Sequence, residues 1–103
     1  MNMDRVFDAL ASAPRRQMLR ELSHGEHTTS ELAARFAMSA PAVSRHLSTL
    51  ENAGLVASRR DGQRVRYGLV RDTLMEALSG FAAELAMGPG AEAVRPKRQR
   101  EAI

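Results

Sequence analysis

Thr28 to Leu55, TTSELAARFAMSAPAVSRHLSTLENAGL, decides the fold. Thr28 and Glu31 stand three apart, the spacing of a capping box, and open a helix with Leu32, Ala33 and Phe36 on one face. Ala37-Met38 then makes a turn. Ser39 is a natural N-cap for a second helix, where Pro41 is tolerated in the first turn. Val43, Leu47 and Leu50 form its inner stripe, and Gly54 closes it. With that stripe inward, Ala40, Ser44, Arg45 and Ser48 face out, near the leading end or one turn on. Two short helices at a tight turn, the second polar outside, predict a helix-turn-helix.

Downstream, SRRDGQRVRYGL (Ser58 to Leu69) changes the period from helical to alternating. Val65, Tyr67 and Leu69 point one way, Arg64 and Arg66 the other. Asp61-Gly62 between Arg60 and Gln63 predicts a tight hairpin, a wing beside the helix pair. Upstream, Met3, Val6, Phe7 and Leu10 predict a first helix. Pro14 opens a second, with Met18, Leu19 and Leu22 inward and Gly25 as its stop. Beyond the wing, Asp72 is expected to cap a last helix with Leu74, Leu78, Phe81 and Leu85 on one stripe, ended by Gly88-Pro89-Gly90. The fold class is mainly α with a two-stranded β wing, in the order α-α-α-α-β-β-α. Residues 1–87 are expected to form a winged helix-turn-helix DNA-binding and dimerisation domain, and 88–103 a disordered basic tail.

A chain of 103 residues with 4% aromatic content and no Trp must build a small core from Leu, Val, Ala and Met. The formal charge of +3 permits a polyanionic partner but does not select one. Absence of cysteine excludes disulfides, thiolate metal sites and a cysteine redox switch. No apolar run approaches membrane-spanning length, and Asp4 argues against a secretory signal, so a cytoplasmic protein is expected. No nucleophile-base pair with a supporting motif and no glycine-rich phosphate loop is present, so neither enzyme nor cofactor is expected. Ser44, Arg45 and His46 make no catalytic set, because helix neighbours diverge by about 100°.

What remains is DNA. A recognition helix offers its N-terminal half to base edges. Arg45 has the fork that pairs guanine O6 and N7, Ser44 and Ser48 are short donors, and Ala40 and Pro41 suit a thymine methyl. Thr28, Thr29, Ser30 and Ser39 place hydroxyls at helix N-termini, where backbone N–H groups meet phosphates. Arg60, Gln63 and Arg64 are the expected wing contacts, within the basic cluster of Arg59, Arg60, Arg64 and Arg66. A helix-turn-helix pattern alone is a weak signal. Its coincidence with a basic hairpin favours double-stranded DNA over an ordinary solvated surface. For His46 two roles stay open, a phosphate contact or a packed structural histidine.

The helix-turn-helix core is furnished by Leu19, Leu22, Leu32, Phe36, Val43, Leu47, Leu50 and Leu55. The terminal stripes, Met3, Phe7 and Leu10 with Leu74, Leu78, Phe81 and Leu85, are then surplus and predict a homodimer interface. The methionines, Met75 among them, are expected to fill core gaps. His24-Gly25-Glu26-His27 suggests two readings. One is a metal-responsive repressor using His24 and His27. The other, preferred because Gly25 breaks the helix, is simple capping with no metal. A protein-interaction module without DNA is the alternative from another class.

Taken together, VFDALASAPRRQMLRELSHGEHTTSELAARFAMSAPAVSRHLSTLENAGLVASRRDGQRVRYGL and the helix after it resemble the ArsR-type winged-helix repressors, from about Val6 through Leu85. The resemblance rests on the opening ALA-P-R-ML-L, the SELA run, the S-VS-HL--L helix and the wing with its DG and Y-L. It implies a homodimer formed by the first and last helices, an inverted-repeat operator at a promoter, and repression relieved by a signal. It places base or phosphate contacts on Ala40, Pro41, Ser44 and Arg45, and wing contacts from Arg60 to Arg64. Metal-sensing members use cysteines, or Asp and His on the last helix. This chain has no Cys, and its last helix has Asp72, Glu76 and Glu84 but no His, so it resembles the cysteine-free branch and names no effector.

Overall fold

The structure, a computed structural model, describes residues 2–86 together with Val94 and Pro96. The expected Gly88-Pro89-Gly90 stop, Met87 and the basic tail otherwise lie outside the described residues. The elements are α1 (Met3–Leu10), α2 (Ala13–Leu22), β1 (His27–Thr28), α3 (Thr29–Phe36), α4 (Ala40–Asn52), β2 (Val56–Asp61), β3 (Arg64–Leu69) and α5 (Arg71–Ala86). This is the expected mainly helical class with its wing, plus one strand that the sequence pattern does not announce. β1 pairs antiparallel with β3, His27 opposite Tyr67, and gives a sheet ordered β1-β3-β2.

Helix starts follow side-chain caps. Asn2 Oδ1 accepts from the Arg5 N–H at 3.1 Å, and Ser12 Oγ from Arg15 at 3.4 Å. Ser39 Oγ accepts from Ala42 at 3.2 Å, with Pro41 in the first turn of α4. Thr28 completes the capping box of α3: its Oγ1 accepts from the Glu31 N–H at 3.1 Å, and its own N–H donates to Glu31 Oε1 at 2.9 Å. Asp72 departs from expectation. α5 already begins at Arg71, so Asp72 lies in the first turn, where a carboxylate complements the helix dipole instead of capping it.

The step from α3 to α4 runs through Ala37, which adopts a left-handed conformation at φ +52° without being glycine. That conformation costs an L-residue about 1–2 kcal/mol. The wing turn also differs from the expected Asp61-Gly62. Asp61 pairs with Arg64, so the loop is Gly62-Gln63, with Gly62 at φ +67°. Glycine at the first loop position is the placement a type II′ turn takes, whose twist matches that of the strands.

The core joins all the helices. Met18, Leu32, Val43, Leu47, Leu50 and Leu55 are fully or almost fully buried, with Val6 from α1 and Ala77 from α5 beside them. Phe36 is half-buried against this cluster, as are Leu10 and Leu74. Two residues expected at a dimer interface thus already pack within one chain. Phe7 meets Phe81 edge to face, centroids 5.6 Å apart, which seats α5 on α1. Further along α5, Met75, Leu78 and Leu85 are 59%, 44% and 67% exposed, and Phe81 keeps 43% of its surface open. Met75 is therefore a surface residue, not the core filler its composition class suggested. Among the described residues no helix is long and apolar enough to cross a membrane.

Candidate nucleic-acid interface

The inward stripe of α4 is fixed by burial of Val43, Leu47 and Leu50, and the opposite face follows from helical geometry. Ser39, Ala40, Pro41, Ser44, Arg45 and Ser48 are all exposed. Arg45 makes no ion pair among the described residues, so its five donors stay free for an external acceptor. The structure thereby brings six expected contact residues onto one open helix face.

The second part of the surface lies where the wing meets α3. A cleft of about 360 Å³ is lined by Thr28, Thr29, Ser30 and Glu31 on one side and Gln63, Arg64 and Val65 on the other. The start of α3 and the wing tip, 34 positions apart from Thr29 to Gln63, thus share one concavity. Ser30 is exposed and Thr29 half-buried, so both hydroxyls are reachable. Thr28 is not: it is buried, with its hydroxyl spent on the cap, and it drops out of the expected phosphate contacts.

The four wing arginines divide into two kinds. Arg59 clamps Glu26, with Nη2 2.8 Å from Oε1 and Nε 3.0 and 3.1 Å from the two oxygens. Arg66 holds Asp61 at 2.8 Å and approaches Glu31 at 4.0 Å. The Arg59 hydrogen bond keeps Glu26 below the ordinary carboxylate range, and Arg66 does the same for Asp61. Arg60 and Arg64 are exposed and have no acidic partner within salt-bridge distance among the described residues. Only these two present unengaged charge, so the expected cluster of four is functionally a pair. The Glu26–Arg59 tie spans 33 positions, and no local pattern announces it.

Below the wing, Glu21, His27, Glu31 and Arg35 link α2, β1 and α3. His27 lies 3.6 Å from Glu21 and 3.5 Å from Glu31, and Arg35 reaches Glu21 at 2.8 Å. The Glu31 carboxyl is held below its ordinary value first by the Thr28 N–H and then by His27. A depressed carboxylate contributes stability above its unfolded titration range, and that contribution is lost as pH falls through the folded one. Glu31→Gln keeps the acceptor but removes the charge. The wild-type protein should melt above this variant at neutral pH, and the two should converge in acid. Parallel melting curves against pH would show that the charge adds nothing.

The two loop histidines serve separate partners. The carbonyl of Arg20 can only accept, so His24 Nδ1 donates to it at 2.9 Å, the C-terminal capping role that the sequence favours. His27 turns to the two glutamates instead. Among the described residues no group of three or more His, Cys, Asp or Glu is placed to hold a metal. His46, on the flank of α4, is half-buried with Nδ1 3.5 Å from Nη1 of Arg15. Burial first, then the cations Arg15 and Arg45, push its ring below the ordinary imidazole range, so it stands neutral at physiological pH.

Likenesses to known proteins bear on this geometry. Residues 13–58 match the arsR family of bacterial regulatory proteins. The chain is 44% identical over 89 residues to the HTH-type transcriptional regulator KmtR of Mycobacterium tuberculosis, covering 82% of this chain and 66% of that one. It thus spans just under two thirds of that regulator's length, and 52% of another curated relative's. The transcriptional repressor SdpR of Bacillus subtilis is 32% identical over 77 residues, covering 75% of this chain and 86% of SdpR. In three dimensions the chain superposes with TM-score 0.67 and 27% identity on the homodimeric winged helix-turn-helix DNA-binding domain of a possible ArsR-family transcriptional regulator from Mycobacterium bovis. That match covers 89% of this chain and 86% of that one.

Proposed function

The chain belongs to the arsR family of bacterial regulatory proteins, transcriptional regulators and not enzymes, and from that premise we propose that it is a homodimeric repressor that occludes a promoter by binding an inverted-repeat operator. Each α4 enters a major groove. Arg45 reads guanine, Ser44 and Ser48 contact bases or phosphates, and Ala40 and Pro41 meet thymine methyls. Thr29 and Ser39 meet backbone at the two helix starts, and Arg60, Gln63 and Arg64 hold it from the wing. The observation that carries this reading is the open α4 face, whose one cation has no acidic partner among the described residues, together with the two wing-tip arginines that likewise have none there.

Dimerisation is supported by the apolar surface that α5 leaves uncovered at Met75, Leu78, Phe81 and Leu85, flanked by Met3 and Phe7 of α1. A two-fold axis along that seam would set two reading heads on one face of the duplex. Residues 1–87 then form the reading and dimerising unit, acting in the cytoplasm where the promoter is, with 88–103 as an appended basic segment. A signal would relieve repression by changing the angle between the heads, because only one angle lets both engage.

A gel-shift titration with the DNA upstream of the chain's own gene tests this. The expected result is a discrete, salt-sensitive shift that unrelated duplex does not compete away. Absence of any sequence-dependent shift would favour the alternative, a winged-helix interaction module whose α5 face binds another protein.

A further inference from the structure

We propose that Arg15 is a positioning residue that locks His46 in one ring tautomer, so that α4 presents the Nε2–H of His46 to a phosphate of bound DNA. The proposal rests on the operator reading above and adds to it a residue on α2, outside the reading surface.

Arg15 is a junction. Its Nε donates to the carbonyl of Ala9 at 2.8 Å and its Nη2 to that of Asp8 at 3.2 Å, closing the C-terminal end of α1. Its remaining arm, Nη1, lies 3.5 Å from His46 Nδ1. A guanidinium has donors and no acceptor, and it is never deprotonated in a protein. His46 Nδ1 must therefore accept, which places the ring proton of the neutral imidazole on Nε2. The lowered proton affinity of the ring, imposed by burial and then by Arg15 and Arg45, agrees with this assignment.

Among the described residues Nε2 has no protein partner, and none of their side-chain nitrogens is both buried and unsatisfied, so Nε2 reaches solvent. It does so next to Arg45, on the flank of the helix whose open face carries Ser44 and Ser48. A neutral ring bonded on its inner nitrogen is then a fixed outward donor. In the other tautomer Nε2 would be an acceptor and would repel a phosphate oxygen. The two roles left open for His46 by sequence become one: it is packed through Nδ1 so that Nε2 can contact DNA.

Two measurements test this. In the free protein, nitrogen-15 spectra should show His46 with an unprotonated Nδ1 and a protonated Nε2, and Arg15→Ala should convert this to a mixture. In the second, affinity for a duplex selected from a randomised library is measured for Arg15→Ala and His46→Gln, singly and together. Gln keeps an N–H where Nε2 stands but needs no tautomer lock. Arg15→Ala should lower affinity about fourfold in the wild-type background, a factor of about two at each head for an evenly mixed tautomer population, and leave it unchanged in His46→Gln. Equal losses in both backgrounds would mean that Arg15 merely closes α1, and would overturn the proposal. So would a ring protonated on Nδ1 in the wild type. A wild-type chain that binds no duplex would defeat the operator reading and the phosphate contact with it, while the spectrum would still decide the Arg15 lock.

Discussion

Arg45→Ala is expected to abolish discrimination among DNA sequences while leaving fold and dimer intact. The side chain is exposed and bonds no acid among the described residues, so its removal leaves no buried orphan and should shift stability by less than about 0.5 kcal/mol. Its loss at DNA is larger. A bidentate arginine–guanine pair is worth about 1–3 kcal/mol of discrimination, so two half-sites lose about 2–6 kcal/mol. The measurement is the ratio of affinities for a selected and a scrambled duplex of equal length, which should collapse in the variant. Arg60→Ala and Arg64→Ala form the contrast: both duplexes should weaken together, and the salt dependence should become shallower. If Arg45→Ala retained the ratio, base reading would belong to another side chain.

The second large effect is expected at α5. Leu78→Asp with Leu85→Asp places carboxylates on the seam where two copies would meet. Both leucines are substantially exposed in the single chain, so the fold should survive. A dimer would have to bury unpaired charges, and their desolvation outweighs the benefit of covering the apolar surface around them. Sedimentation should report a monomer. Operator affinity should fall by on the order of 10³ or more, because one head retains only about half of the contacts that separate specific from nonspecific binding. A dimer of unchanged strength would place the interface elsewhere and leave the apolar stripe to a different partner.

These two surfaces were legible in the sequence to different depths. The α4 face was legible because its determinants are local. Ser39 caps, Val43, Leu47 and Leu50 repeat at helical spacing, and the outward residues follow from that period. The capping box at Thr28 and Glu31 was readable for the same reason. Signals that depend on distant partners were not readable. Two residues, His27 and Thr28, make a strand only because β3 lies beside them. The wing turn slid by one position from Asp61-Gly62 to Gly62-Gln63, since strand register decides which dipeptide closes a hairpin. The division of the wing arginines depends on Glu26, and the state of His46 on an arginine 31 positions earlier. Met75 shows the converse limit: a helical apolar residue reads as core until the packing shows which face is already covered.

Operator reading by a symmetric pair of heads is tested most directly by what the purified chain selects from a randomised duplex library, with the stoichiometry of the selected complex. The expected product is an inverted repeat with half-sites about 10 base pairs apart, two chains per duplex, and affinity that falls steeply with salt. An enriched site lacking two-fold symmetry, or no enrichment at all, would contradict it.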